Sequence, residues 1–166
     1  MNTERSDEFI KSWEKQVNPL KSASFTLERT FRTSPEKLFP LLCPTTEYDW
    51  IPGWGCELLH SKSGYAEYNA VFRTTFLGPE EIWVCTRYEP NKAVEYARMS
   101  DGMAGKLDIS FTDNLDGTVT GRWVVSASAL VEAKNQAVAQ WEAGRRQFEG
   151  FLDLLEHYVN SGEIRS

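Results

Sequence analysis

The sequence predicts an α+β fold in which a curved antiparallel sheet of about seven strands wraps around one long C-terminal helix. Two observations within residues 22–160 carry this prediction. One strand precedes two short helices, and about six further strands then follow with no helix between them. The chain closes with an amphipathic segment long enough to cover the apolar face of that sheet. A curved sheet around a single helix leaves a cavity, so we expect a container for a small molecule.

The first strand and the two short helices follow from local signals. Hydrophobic and polar side chains alternate over residues 25–31, as in a strand with one solvated face. Ser34 and Pro35 then begin a helix as its N-cap and first helical residue, and Pro44 ends it. Residues 45–50 add one more helical turn. We therefore expect two short helices directly after the first strand.

The later strands alternate in the same way over residues 68–76, 82–88, 93–99, 107–111 and 119–127. Short turns separate them, which predicts an antiparallel meander. The side chains that we assign to the covered face are Tyr68, Ala70, Phe72, Phe76, Ile82, Val84, Tyr88, Leu107, Ile109, Phe111, Val119, Trp123, Val125 and Ala127.

A helical hydrophobic stripe runs over residues 131–159. At 1.5 Å per residue, a helix of this length would extend roughly 43 Å, enough to cross a small sheet completely. Residues 6–17 form a second amphipathic pattern near the N-terminus. We therefore divide the chain into an N-terminal helical segment, residues 1–20, and one ligand-binding domain, residues 21–166.

Charge and hydropathy exclude several classes of function. A net charge of −6 argues against general binding to nucleic acids, which needs clustered Lys and Arg. No apolar run approaches the roughly 18 residues of a membrane span. The first residues lack the basic-then-apolar layout of a signal peptide. We therefore expect a cytoplasmic monomer or homodimer that does not bind nucleic acid and does not cross a membrane.

Metal and disulfide signatures are missing from the sequence. Cys43, Cys56 and Cys85 are odd in number and form no C-x-x-C pair, and His60 and His157 lie far apart. The sequence also contains no nucleophile elbow, no phosphate loop and no complete dinucleotide fingerprint. We therefore expect neither a metal nor a cofactor.

The order of elements resembles the START-like superfamily, also called SRPBCC, which includes birch-pollen-allergen-like proteins and the polyketide cyclase/dehydrase family. The two motifs that carry the resemblance are residues 34–39, Ser-Pro-Glu-Lys-Leu-Phe, and residues 50–54, Trp-Ile-Pro-Gly-Trp. The resemblance covers residues 22–160. It implies a helix-grip fold with a deep apolar cavity between sheet and C-terminal helix. Members range from lipid and hormone carriers to cyclases, aromatases and Hsp90 co-chaperones, so the fold does not select the function.

Three polar residues are candidates for catalysis. Arg145 continues the apolar stripe of the C-terminal helix, where it could hold a ligand carboxylate or enolate, or else extend to solvent from the helix edge. Glu95 could point inward as a general base on an enolisable ketone, or lie solvated near the rim of the sheet, as could Arg29. His60 is the third candidate, for orienting a polar ligand group.

The wall of the expected cavity is aromatic. Six tryptophans are an unusual number for a chain of this length, and they suit either a large apolar pocket or a plain core. The residues that we predict to contact a ligand are Trp50, Trp54, Tyr68, Phe72, Tyr88, Ile109, Phe111, Trp123, Trp141, Arg145 and Phe148.

These observations leave three functional hypotheses. The first is binding of a hydrophobic small molecule, such as a lipid, polyketide or aromatic metabolite, without catalysis. The second is a cofactor-free polyketide cyclase or dehydratase, which requires at least two of Arg145, Glu95 and His60 around one cavity. The third is a protein-interaction module of the Hsp90 co-chaperone type, which would use an exposed surface instead of the interior.

Overall fold

A computed structural model describes residues 20–76 and 78–165. The helix predicted over residues 6–17 lies outside this part of the chain. Within it, a single sheet contains seven strands. The strands are β1 (Ser22–Phe31), β2 (Cys56–His60), β3 (Val71–Thr74), β4 (Glu81–Glu89), β5 (Ala93–Ser100), β6 (Met103–Asp113) and β7 (Val119–Ala129).

The sheet is an antiparallel meander closed by its first strand. Its spatial order is β1-β7-β6-β5-β4-β3-β2, so each strand from β2 to β7 pairs with its neighbour in the chain, and β1 pairs with β7. Strands β1 and β2 are the two edges. The predicted meander is therefore confirmed, with the connection between the edge strands supplied by the short helices.

Short helices follow β1 as predicted. Helix α1 (Pro35–Leu38) continues directly into the 3₁₀ turn Phe39–Leu42, and a second 3₁₀ turn, Glu47–Asp49, follows. Pro35 lies at the start of α1, where a backbone N–H would have no acceptor within the helix. Its missing N–H therefore costs the helix no hydrogen bond. Leu38 is fully buried, so this pair of helices packs into the main core.

The C-terminal helical region is interrupted, in contrast to the continuous helix predicted over residues 131–159. It consists of a 3₁₀ turn (Glu132–Lys134), α2 (Asn135–Ala139), a second 3₁₀ turn (Trp141–Gly144) and α3 (Arg145–Ser161). Helix α3 has 17 residues, which correspond to about 26 Å.

Two separate packing sites account for the interruption. Val138 of α2 is fully buried in a small cluster against Ala127 and Ala129 at the end of β7. Leu152 and Leu155 of α3 pack into the main core. The chain changes direction between these sites at Gln140, whose φ of −98° and ψ of 11° lie outside the helical region. A straight helix could not serve both sites.

The inward faces of β6 and β7 are as predicted. Ile109, Val119, Trp123 and Val125 are buried on the side of the sheet that α3 covers. Gly121 makes room for this packing, because a Cβ atom there would lie 2.3 Å from the Trp123 indole. The indole therefore lies flat along the sheet, next to Phe111.

The predicted inward face of β4 is wrong in its first half. Trp83 and Cys85 join the main core, whereas Ile82 and Val84 belong to the opposite face. The cause is a bulge between Cys85 and Arg87, where two residues of β4 oppose one residue of β5. The bulge reverses the alternation, so the predicted inward position of Tyr88 is correct although that of Ile82 is not.

Candidate functional site

A cavity of about 380 Å³ lies between the concave face of the sheet, the segment after α1, and helix α3. Its wall is largely aromatic and aliphatic. The residues of the predicted ligand-binding wall that line it are Trp50, Trp54, Phe72, Ile109, Trp123, Trp141 and Phe148.

The cavity reaches solvent between the β3–β4 loop and the start of α3. Gly78 and Pro79 of the loop and Gln147 of the helix are exposed residues that also border the cavity. Gly144 borders it as well, and a Cβ atom at this position would meet no atom within 4 Å. These four residues form the mouth of the cavity.

Four residues of the predicted wall do not line the cavity. Tyr68 precedes β3 and is 64% exposed. Tyr88 and Phe111 pack against the Phe39 ring, at centroid distances of 5.4 and 6.1 Å. They face inward but belong to the core beneath α1 and do not border the cavity. Arg145 is the fourth.

Arg145 lies at the edge of the sheet. Its Nη1 donates a hydrogen bond of 2.8 Å to the carbonyl oxygen of Thr26 in β1, and its Nε donates to Glu142. The guanidinium carbon lies 5.5 Å from the centre of the Phe25 ring. The hydrogen bond to Glu142 raises the pKa of Arg145. Of these partners Phe25 lines the cavity, but Arg145 itself does not, and its contacts hold the start of α3 against β1.

The other two catalytic candidates are also remote from the cavity. Glu95 faces away from α3, where its carboxylate accepts hydrogen bonds from Thr86 at 2.6 Å and Lys106 at 3.1 Å. Burial acts to raise the pKa of Glu95, but the hydrogen bonds from Thr86 and Lys106 outweigh it, so this pKa is lowered. His60 is exposed at the end of β2. The structure therefore does not bring the three candidates together.

The aromatic segment after α1 is irregular but closely hydrogen-bonded. The indole N–H groups of Trp50 and Trp54 donate to the carbonyl oxygens of Leu41 and Pro44, each at 2.8 Å. The Tyr48 hydroxyl bridges the backbone N–H and C=O of Cys56, at 2.8 and 2.9 Å. This part of the wall is consequently fixed without regular secondary structure.

Glu47 is the polar residue of this segment that sequence analysis overlooked. It lines the cavity, and its carboxyl makes no hydrogen bond or ion pair with any residue in the described part of the chain. Burial raises the pKa of Glu47 to about 8. The residue is only half-buried by surface area, but water confined in a cavity solvates a charge poorly, so the carboxyl behaves as a buried group.

Two further titratable groups lie close enough to Glu47 to sense its charge. Burial, and then the charge of Glu47, raise the pKa of Cys56 to about 11 and that of Tyr96 well above its ordinary value. Tyr96 is almost fully buried and donates its hydroxyl to the carbonyl oxygen of Leu42 at 3.1 Å. Both groups are neutral near pH 7, and neither supplies Glu47 with a positive charge.

Arg98 is the second polar group that sequence analysis missed, and it lies on the inward face of β5. Its guanidinium carbon is 5.2 Å from the ring centre of Trp83 and 5.1 Å from that of Trp141. Its Nη1 donates to Glu81 at 3.4 Å. Burial lowers the pKa of Arg98 and the charge of Glu81 opposes this shift. An arginine in this setting stays charged.

Gly105 on β6 is the residue directly opposite Arg98. A Cβ atom on Gly105 would lie 3.4 Å from Arg98 Nε and 2.2 Å from the carbonyl oxygen of Ser126. The glycine thus gives the guanidinium space to lie between the two indoles. Near it, Thr74 is buried and accepts a hydrogen bond of 3.0 Å from the Trp83 indole.

Neither a metal centre nor a membrane span is found in residues 20–76 and 78–165. No three His, Cys, Asp or Glu side chains of this part lie close enough together to bind a metal ion. None of its helices has both the length and the apolar character needed to cross a bilayer.

Comparison with known proteins identifies the architecture. The crystal structure of Ara h 8.0201 matches with a TM-score of 0.62 at 17% identity, over 85% of this chain and 99% of that one. DynU16, from the dynemicin biosynthetic locus, matches with a TM-score of 0.60 at 16% identity, over 84% of this chain and 48% of that one. The Aha1 dimer from Colwellia psychrerythraea matches with a TM-score of 0.57 at 14% identity, over 84% and 98%.

These structures share one architecture, a curved antiparallel sheet that grips a C-terminal helix. The chain therefore has a helix-grip fold, as its element order predicts. No family model and no curated protein matches the sequence. At these sequence identities the likeness shows the fold, and the fold does not determine the function.

Proposed function

We propose that the protein binds an apolar or aromatic small molecule in the cavity between its sheet and helix α3. The observation that carries the proposal is a cavity of about 380 Å³ with aromatic walls and few polar groups. Ligand pockets of proteins typically occupy about 300–1,000 Å³ and combine apolar walls with a few placed polar side chains. The hydrogen-bonded segment around Trp50 and Trp54 supports the proposal, because it holds the wall in place before a ligand arrives.

Binding without catalysis is the form of the proposal that the site favours. A cyclase or dehydratase that uses Arg145, Glu95 and His60 would need at least two of them at one cavity, and none lines this one. The protein would act as a cytoplasmic monomer or homodimer and would need neither metal nor cofactor. An interaction module of the co-chaperone type would not need an aromatic cavity of this size.

Two measurements test the proposal. Native mass spectrometry of the purified protein should detect a co-purifying apolar molecule or an empty chain. If the chain is empty, titration with the neutral fluorescent probe N-phenyl-1-naphthylamine should show saturable binding. A protein that carries no ligand and binds no apolar probe contradicts the proposal.

A matched pair of variants assigns the binding to the cavity. Gly144 and Gly150 both have open space where a Cβ atom would lie, but only Gly144 borders the cavity. Gly144 has φ of −70° and ψ of −14°, which other residues adopt freely. We expect Gly144→Phe to weaken probe binding at least about tenfold by obstructing the mouth, equivalent to about 1.4 kcal/mol. Gly150→Phe should leave the affinity unchanged.

A further inference from the structure

We infer that the cavity selects neutral ligands with a hydrogen-bond-accepting oxygen, such as an aryl ketone or quinone carbonyl, and that the protonated carboxyl of Glu47 donates to this oxygen. The inference rests on the proposed function and specifies its ligand. It starts from a contrast within the cavity wall. Thr74, Tyr96 and Arg98 all have protein partners, whereas the carboxyl of Glu47 has none in the described part of the chain.

The position of Glu47 is fixed by its backbone. Its N–H donates to the carbonyl oxygen of Cys43 at 3.1 Å, and its own carbonyl accepts from the N–H groups of Trp50 and Ile51, at 3.2 and 2.8 Å. Glu47, which lines the cavity, therefore belongs to a 3₁₀ turn whose backbone is held in place. A fixed backbone at a recognition group reduces the conformational freedom that is lost when a ligand binds.

The charge balance of the wall favours the neutral form of this carboxyl. Among the residues of 20–76 and 78–165 that line the cavity, Arg98 is the basic one, and it is already paired with Glu81. Cys56 and Tyr96, the neighbours that sense the charge of Glu47, carry no positive charge to offset it. An ionised Glu47 would thus stand uncompensated in an apolar cavity, in agreement with its raised pKa of about 8.

A protonated carboxyl has one O–H donor, and this donor needs an acceptor. No group in the described part of the chain accepts this hydrogen bond, and Glu47 is only half-buried, so the acceptor has to be water in the cavity or an oxygen of a ligand that displaces it. A ligand carbonyl oxygen would accept this hydrogen bond without bringing charge into the cavity. An amine ligand would instead require both its own desolvation as a cation and the ionisation of Glu47. A neutral acceptor is therefore the ligand chemistry that fits best.

The test compares three naphthalenes of matched shape: 2-acetonaphthalene, the hydrocarbon 2-ethylnaphthalene, and the amine 1-(2-naphthyl)ethylamine. Their affinities are measured by displacement of N-phenyl-1-naphthylamine. At pH 7 the native protein should bind the ketone about five- to tenfold more tightly than the hydrocarbon, as expected for one net hydrogen bond. Glu47→Met should bind both with equal affinity, because it has no donor.

Glu47→Gln is the matched control for the proton. Its amide still donates a hydrogen bond but does not titrate, so it should keep a preference for the ketone at every pH. The native protein should lose its preference between pH 7 and pH 9, as Glu47 ionises. Cys56 and Tyr96 remain neutral over this range because their pKa values are raised further.

The outcomes separate this inference from the proposed function. If the hydrocarbon binds but the native protein shows no preference for the ketone, or if Glu47→Met keeps the preference, the inference is wrong and the binding function stands. Tighter binding of the amine that depends on Glu47 would also overturn it, in favour of a cation site. If the probe binds but none of the three compounds displaces it, the inference is wrong and the binding function stands. If the probe itself does not bind and no ligand co-purifies, the proposed function fails as well. Unchanged hydrocarbon affinity in Glu47→Met shows that the variant is folded.

Discussion

Two charged groups of the cavity wall are held in different ways. Arg98 is paired with Glu81 and lies between the indoles of Trp83 and Trp141. Glu47 has an apolar environment and no partner among the described residues. The first arrangement is complete without a ligand and stabilises the folded protein. The second is incomplete, and a ligand or a proton has to complete it.

The difference follows from where the two residues lie in the fold. Arg98 is on a central strand, where the neighbouring strand β4 places Glu81 and the Trp83 ring at fixed positions beside it. Glu47 is in a 3₁₀ turn, whose backbone is satisfied by local hydrogen bonds that do not involve its side chain. Sheet pairing thus supplies the partner of Arg98, whereas the turn after α1 supplies none for Glu47.

The largest expected effect concerns the proton on Glu47. Its pKa in the folded protein is about 8, against an ordinary value of 4.5. The folded state therefore holds this proton over a range of pH in which the unfolded chain releases it, so the free energy of unfolding should fall as pH rises from about 4.5 to about 8. The slope reaches at most about 1.4 kcal/mol per pH unit, for a total on the order of 4–5 kcal/mol.

Glu47→Gln should remove this slope and be more stable than the native protein at pH 8, while matching it near pH 4.5. Chemical denaturation across the pH range measures both. Carboxyls with lowered pKa, such as Asp101 and Asp116, affect stability only at lower pH and do not interfere. A native protein as stable at pH 8 as at pH 5 would contradict the account of Glu47.

The next largest effect concerns the ion pair between Arg98 and Glu81. Arg98→Ala leaves Glu81 without a partner and removes two cation–π contacts, so we expect a loss of about 2–3 kcal/mol of stability at pH 7. The double variant Arg98→Ala/Glu81→Gln should lose less than the single one, because it leaves no unpaired charge. Equal losses in both would show that the pair contributes nothing and would weaken the contrast with Glu47.

The smallest effect is expected outside the cavity. Glu95 pairs with Lys106 on the outer face of the sheet, and the ammonium group is largely exposed. Glu95→Gln should therefore change the free energy of unfolding by at most about 1 kcal/mol and leave probe affinity unchanged. Denaturation and probe titration of the same sample measure both. A substantial loss of affinity would show that Glu95 acts at the cavity, as its place among the catalytic candidates implied.

Regular elements made much of this fold predictable from sequence. Strands β6 and β7 alternate without interruption, so the inward positions of Ile109 and Trp123 could be read from the pattern. The motif around Trp50 identified part of the wall, because two nearby indoles need burial. Phe148 was found through the helical stripe, which persists in α3 although the helix begins later than predicted.

The polar groups of the cavity could not be found in this way. The bulge between Cys85 and Arg87 depends on the pairing of two strands, and no local pattern shows where alternation reverses. On β5, the pattern drew attention to Glu95, whereas Tyr96 and Arg98 face inward. Glu47 lies in an irregular turn without any periodicity, so its orientation depends on tertiary contacts.

The most direct test of the central claim is a carbon-13 NMR titration of the Glu47 carboxyl, assigned by the loss of its signal in Glu47→Gln. We expect a midpoint near pH 8 in the free protein. Saturation with 2-acetonaphthalene should move this midpoint upward, because the ketone binds the protonated form. A midpoint near 4.5 in the free protein, or one that the ketone does not move, would contradict an unpaired, ligand-binding acid in this cavity.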